Sequence, residues 1–405
     1  MESGNRSGMH FLQIPGPSPV PERILRAIDR QVIDHRGPEF QKLGREVLAG
    51  CREVFGTREA VVIYPSSGTG AWEAAIVNTL SAGDRVLMAE TGQFATLWCK
   101  LARRWGLDVE LIPGDWRHAV DANQIEARLC EDKAHAIKAV MVVHNETSTG
   151  CLSDIAAVRQ AMDRAGHPAL LMVDAISSLG SAPVRHDAWG ADVTVSCSQK
   201  GLMLPPGLSF TAISRKALAA SRANSLPRSY WDWGEMLQSN STGFFPYTPS
   251  TNLLYGLRES LAMLREEGLD NVFARHRRLA RACRAAVTAW GLEILCQDPA
   301  RYSPVLTAVL LPQGQDADAL RAVALRHFDM SLGAGLGKLA GKVFRIGHLG
   351  ACNELSLMGA LCGVEMTMQL CQTPVAASGL APAMQSLGPA DPVETAERHG
   401  VVAGQ

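Results

Sequence analysis

Between residues 60 and 215 the chain alternates short apolar runs rich in β-branched residues with longer stretches of helical period. This alternation constrains the fold more than any other feature, because strands separated by crossover helices build a mainly parallel sheet layered between helices. Candidate strands are Ala60–Tyr64, Arg85–Ala89, Val109–Pro113, Ile137–Val143, Ala169–Val173, Val193–Ser196 and Leu208–Ile213. Helices are expected at Trp72–Leu80, Phe94–Trp105, Ala122–Cys130 and Ile155–Ala165, the last opened by Asp154 and closed by Gly166.

From about Asn252 the pattern changes to that of a smaller α+β domain. Helical stretches at Leu253–Glu267 and Val272–Trp290 precede strands near Leu292–Leu295 and Leu306–Leu311. A helix near Ala317–His327, a glycine-rich turn, a strand at Val343–Gly347 and a helix near Glu354–Leu370 complete it. The basic run His276, Arg277, Arg278, Arg281 and Arg284 reads as a solvated helix face. Pro15-Gly16-Pro17-Ser18-Pro19 cannot enter a helix or a central strand, so an arm feeding the first domain is expected there. The chain thus divides into an N-terminal arm (1–20), a large domain with a seven-stranded, mainly parallel sheet (21–265), a small C-terminal domain (266–372) and a loose tail (373–405).

Charge and cysteine usage narrow the function classes. Lys and Arg (39) nearly cancel Asp and Glu (40), leaving no net field to hold a polyanion or an anionic membrane. No apolar run approaches the roughly 20 residues of a membrane span, and the first thirteen residues lack a secretory pattern. Neither nucleic acid nor membrane is expected as a partner. Ten cysteines without a CxxC pair read as reduced thiols, not as a disulfide or metal framework, which places the chain in the cytoplasm.

Three features carry chemistry. Ser66-Ser67-Gly68-Thr69-Gly70 joins a strand to a helix, where small residues and the helix dipole suit a phosphate. It fits neither the Walker A nor the dinucleotide spacing, and alone it is equally an ordinary strand-to-helix turn. Asp174 follows the apolar run 169–173, at the C-terminal end of a buried strand, where α/β sheets bind ligands. If buried it needs a cationic partner such as a protonated heteroaromatic nitrogen; otherwise it is a cap or an ion-pair member. Lys200, in Ser198-Gln199-Lys200-Gly201, could be desolvated into an amine nucleophile or remain a solvated strand-end group. In this order on one sheet they offer a phosphate cup, a partner for a pyridine nitrogen and an amine for a Schiff base. Those are the anchors of pyridoxal 5'-phosphate (PLP).

Ordered segments from the arm to about residue 370 then carry a family likeness. They include Pro15-Gly16-Pro17-Ser18, Asp34-His35-Arg36, Ser66–Glu73, Gly92-Gln93-Phe94, His144–Gly150, Asp174–Ser178, Ser198–Gly201, Tyr247-Thr248-Pro249 and Gly341–Gly350. With them the chain resembles the fold-type I PLP enzymes of aminotransferase class V, within these the serine–glyoxylate and alanine–glyoxylate type. The resemblance implies a homodimeric PLP transaminase that moves an amino group from a small amino acid, serine foremost, to glyoxylate. Alanine, aspartate and ureidoglycine are the alternative donors. It implies that Lys200 carries the cofactor and moves the α-proton, and that Asp174 keeps the pyridine nitrogen protonated. Ser67, Gly68, Thr69 and Gln199 would hold phosphate, joined by Thr248, with Tyr247 beside it, from the other subunit. Phe94 would cover the ring, Ile176 would line it, and Thr147 would meet the phenolic oxygen. Arg345 would clamp the substrate carboxylate, with Arg36 as a further substrate-binding candidate. Ala175 and Cys197 depart from the usual pattern beside the cofactor. A cysteine desulfurase of this fold would need a nucleophilic cysteine between Ser331 and Arg345, and none is there. A non-catalytic binding protein sits poorly with the retention of Lys200, Asp174 and Arg345 together.

Overall fold

The computed structural model describes residues 8–388. Its strands, in chain order, are β1 (Phe11–Gln13), β2 (Ala60–Tyr64), β3 (Arg85–Ala89), β4 (Asp108–Ile112), β5 (Ile137–Val143), β6 (Asn145–Glu146), β7 (Cys151–Leu152), β8 (Leu170–Asp174), β9 (Val193–Cys197), β10 (Ser209–Ile213), β11 (Glu293–Ile294), β12 (Leu306–Leu310), β13 (Met330–Ala334) and β14 (Val343–Gly347). All seven strands expected between residues 60 and 215 join one sheet, in the order β2-β10-β9-β8-β5-β3-β4. Only β10 runs antiparallel to its neighbours.

Both faces of this sheet are covered, which is why its strands read as unbroken apolar runs. Side chains alternate between the two faces: Val62, Met88, Met141 and Met172 pack into one core, while Leu87, Val140, Leu171 and Val173 pack into another. Helix Gly68–Thr79 lies against β9 and β10, so its first turn stands beside the ends of the central strands. Helix Ile155–Arg164 starts as expected, with the Asp154 carboxylate accepting from the Ala157 N–H at 3.0 Å.

The second sheet has the order β1-β13-β14-β12-β11. Phe344 and Ile346 of β14 face helices Leu269–Ala289, Ala317–Phe328 and Glu354–Leu370. The opposite face carries Ala308 and Val343 and packs against Trp116 of the larger unit. Arg345, between Phe344 and Ile346, is therefore directed at the larger unit.

Four expectations need correction. The arm does not simply feed the first domain: Phe11–Gln13 adds a parallel strand to β13 at the edge of the smaller sheet. Three residues carry too little periodicity to mark a strand, and only the partner strand defines it. Likewise Met330–Ala334 is a strand where a glycine-rich turn was expected, since Gly333 takes the close approach of Pro15 and Arg345. Part of the expected loose tail is ordered as helix Leu380–Leu387, with Ala383 buried against helix Leu269–Ala289. Glu365 ties its start down by accepting from the Gly379 N–H and the Trp290 indole. The remainder of that tail, 389–405, lies outside the described residues. Finally, the basic run is not one solvated face: Arg277 and Arg281 are exposed, but Arg278 pairs with Glu354 and His276 is buried, accepting from the Gly350 N–H.

Beyond β1 the arm becomes a strap between the two units. The Ser18 N–H donates to Gln199 O at 2.9 Å and its hydroxyl to Lys200 O at 2.8 Å. On the other side the arm presses against β14, where a Cβ on Gly347 would stand 2.1 Å from Ile14 O. Gly347→Ala is therefore expected to displace the arm and lower stability by roughly 1–3 kcal/mol, the usual cost of overpacking. Urea unfolding monitored by circular dichroism checks this; an unchanged midpoint would mean that the arm is not seated on β14.

Candidate active site

The cavity between the strap and the ends of β8 and β9 has a volume of about 230 Å³. Gly16, Gly68, Phe94, Thr147, Asp174 and Lys200 are among its lining residues. A larger cavity, about 550 Å³, opens beyond β3 and β4. Its charges are spent on one another or on nearby groups: Asp115 with His118, Glu90 with Lys338, Arg301 with Asp154. The smaller cavity holds the buried, unpartnered amide oxygens of Gln199 and Asn145 together with Asp174 and Lys200.

Asp174 is 3% exposed and ends β8. Its Oδ1 accepts from the Ile176 N–H at 2.7 Å, and its Oδ2 from the Trp72 indole N–H at 3.1 Å. Both donors are neutral, and no cation hydrogen-bonds to it among the described residues. Burial pushes its carboxyl up to about 7, against the partial relief of those two hydrogen bonds. Trp72 reaches it because it lies four residues after Gly68, on the same helix face, and it is stacked on Trp98 with ring centroids 5.8 Å apart.

Lys200 follows β9 in a turn and is half-buried. Its Nζ donates to Pro15 O at 2.8 Å, and burial lowers its pKa. Gly16, at φ +106°, passes so close that a Cβ would lie 2.4 Å from Nζ. Ser67 makes no capping hydrogen bond to helix Gly68–Thr79, so the start of that helix is open to the cavity. Gly68 lets Ile176 approach, since a Cβ there would stand 2.3 Å from Ile176 Cδ1 and displace that side chain. Cys197 lines the cavity as a protonated thiol, raised to about 11 by burial.

Arg345 is 7% exposed. It donates through Nε to Ala334 O and through Nη1 to Thr147 O, each at 2.7 Å. Burial pushes it down to about 10, which leaves it charged at neutral pH. Thr147 is fixed in turn, its hydroxyl donating to Ser177 Oγ at 2.8 Å.

Most of the residues expected from the sequence converge here: Ser67, Gly68, Thr69, Phe94, Thr147, Asp174, Ile176, Gln199 and Lys200 all line the cavity. Arg36 does not; it is exposed in a turn beside Asp34. Thr248 is exposed and Tyr247 half-buried, stacked on Tyr230 at 4.3 Å; neither lines the cavity. Arg228, another cation near these motifs, is held by Asp232 and Asn224 in a separate loop. Sequence reasoning missed Trp72 and Asn145 as site residues, and with them the seat of Lys200 on Pro15. The i to i+4 spacing from Gly68 was the available signal for Trp72. Nothing local announces the other two, which depend on contacts between distant segments.

The residues present suit PLP. Gln199 Oε1 and Asn145 Oδ1 are buried without hydrogen-bond partners, Asp174 lacks a cation, a helix start faces the cavity, and a desolvated amine stands beside it. The comparisons agree: the sequence profile of the aminotransferase class-V family matches residues 10–340. The chain belongs to the class V aminotransferases, which are PLP-dependent transaminases of fold type I. It is 49% identical over 374 residues to the serine–glyoxylate aminotransferase of Methylorubrum extorquens, covering 91% of this chain and 93% of that one. It is 46% identical to the L-aspartate–glyoxylate aminotransferase of Paracoccus denitrificans, covering 92% of this chain and 94% of that one. Among solved structures, the ureidoglycine–glyoxylate aminotransferase of Bacillus subtilis superposes with a TM-score of 0.87 at 27% identity, covering 95% of this chain and all of that one.

In cofactor-free protein Asp174 keeps its proton to about pH 7, whereas the unfolded chain loses it near pH 4. Between these values the folded state binds more protons, so this group makes stability fall as pH rises from about 4 to about 7. Asp174→Asn is expected to remove that slope, a difference on the order of a few kcal/mol between the two pH limits. Urea unfolding of both proteins across the range measures it, and parallel pH profiles would show that burial does not raise Asp174.

Proposed function

We propose that the protein transfers the amino group of L-serine to glyoxylate, giving hydroxypyruvate and glycine, as a cytoplasmic homodimer. The observation that carries the substrate reading is that Arg345, bound to the carbonyl of the cavity-lining Thr147, has no carboxylate partner among the described residues, whereas Arg36 is exposed beside Asp34 and Arg228 is held by Asp232. One cation matches one carboxylate. Relatives at 43–49% identity are named for glyoxylate as acceptor, three with serine and one with L-aspartate as donor, which supports the acceptor.

When bound, PLP supplies an electron-poor pyridine ring that stabilises negative charge at the substrate Cα. The chain's own residues do the rest. Ser67, Gly68, Thr69 and Gln199 would bind its phosphate, Phe94 and Ile176 would contain the ring, and Thr147 would bind its phenolic oxygen. Asp174, poorly solvated as a carboxylate, keeps the proton on the ring nitrogen. Lys200 would hold the cofactor through its amine until the substrate amine takes that place; the freed Nζ, its pKa lowered by burial, would then take the proton from the substrate Cα and deliver it to the cofactor. Arg345 binds the α-carboxylate bidentately, its orientation fixed by Ala334 O and Thr147 O. Tyr247 and Thr248, neither of which lines its own cavity, are assigned to the site of the second subunit, and the exposure of Thr248 supports that reading. All ten cysteines are free, in keeping with a reducing compartment.

Because donor and acceptor share one clamp, small monocarboxylates are expected to be preferred for both. Glyoxylate is expected to exceed pyruvate in kcat/KM by roughly 10–200-fold, the value of one methyl group. 2-Oxoglutarate and aspartate, whose second charge finds no cation, are expected to be rejected more strongly. Steady-state rates with one fixed partner rank them, and a preference for 2-oxoglutarate overturns the reading. Sedimentation of the active protein should give a dimer; a fully active monomer removes Tyr247 and Thr248 from the site.

A further inference from the structure

The helix that brings Phe94 to the cavity, Gln93–Arg104, is capped from outside itself. Its N-cap is Gly92, which has no side chain to offer. Nor can it have one, since a Cβ would stand 2.4 Å from Ser148 Oγ and 2.5 Å from Glu146 Cγ. Those two residues occupy the place of the missing cap. Ser148 Oγ accepts from the Gln93 N–H at 2.9 Å. Glu146 accepts from the Phe94 N–H at 3.3 Å through Oε1 and from the Ala95 N–H at 3.1 Å through Oε2. Its Oε1 also takes the Ser148 N–H at 3.0 Å and the Ser148 hydroxyl at 2.6 Å.

Glu146 is fully buried, and no Lys or Arg hydrogen-bonds to it among the described residues. A carboxylate kept under these conditions needs its hydrogen bonds, because each lost donor leaves charge unsolvated. Its neighbour Thr147 accepts from Arg345 Nη1 through its carbonyl and lines the cavity with its side chain. The turn between β6 and β7 thus joins the substrate clamp to the start of the Phe94 helix.

We propose that Glu146 is a positioning residue that fixes Phe94, and through Phe94 the cofactor ring, relative to Arg345. The proposal rests on the PLP aminotransferase reading. Its test is a double-mutant cycle of Glu146→Gln and Phe94→Leu, read by PLP titration of the cofactor-free protein and by visible circular dichroism of the bound cofactor. Glu146→Gln puts an amide N–H among N–H donors, and is expected to weaken PLP binding about tenfold, in the range of one lost cap, and to diminish the visible dichroism. Phe94→Leu should do the same, and the double variant should be no worse than Phe94→Leu alone. Losses that simply add, or a Glu146→Gln protein with unaltered affinity and dichroism, overturn the proposal. If Glu146→Gln does not fold, Ser148→Ala takes its place. It should reduce the dichroism only while Phe94 is present, and an equal effect in both backgrounds counts against the proposal. A wild-type chain that takes up no PLP removes the aminotransferase reading and the proposal together, so the two failures are told apart.

Discussion

The parallel sheet buries the Asp174 carboxylate and leaves it without a cation. A carboxylate so placed, with only an amide and an indole N–H for company, is under pressure to protonate. Lys200 is under the opposite pressure, its amine desolvated against the arm carbonyl of Pro15. PLP, held as proposed, would offer each group what it lacks: a protonatable ring nitrogen for the acid and an aldehyde for the amine. The surrounding architecture serves to maintain that imbalance. Helix Gly68–Thr79 brings Trp72 to the acid, and the strap roofs the lysine.

The second unit completes the site through one residue and one strap. Strand alternation directs Arg345 off the face that its neighbours Phe344 and Ile346 use for packing, and Thr147 O then fixes its direction. The arm runs from the edge of the smaller sheet to the lysine turn, threading past Gly333 and Gly347, whose missing side chains let it approach. Arg345 and the cavity-lining Asp174 and Lys200 therefore belong to different parts of the fold, held in register by the β6–β7 turn and the arm.

Much of this could be read from the sequence. The seven strands of the large sheet were legible because both their faces are covered, making each a distinct apolar run. Lys200, Asp174 and Ser67–Thr69 were legible because strand ends precede them in order. What escaped was set by tertiary partners. β1 is three residues long and exists only as a mate of β13; helix Leu380–Leu387 sits in a Pro-, Ala- and Ser-rich stretch whose order comes from Trp290 and Glu365. Arg36 was picked for its motif, yet the turn at Asp34 leaves it in solvent. Trp72 and Glu146 lie inside recognisable segments, but a hydrogen bond across 102 residues, or a cap supplied 52 residues away, has no local signature.

Asp174 is proposed to hold a positive charge on the ring of bound PLP. Nuclear magnetic resonance of isotopically labelled pyridine nitrogen in the bound PLP measures that charge directly. At mildly alkaline pH the nitrogen should be protonated in the wild-type enzyme and unprotonated in Asp174→Asn. A neutral nitrogen in the wild type, or one protonated equally in both proteins, would contradict the account.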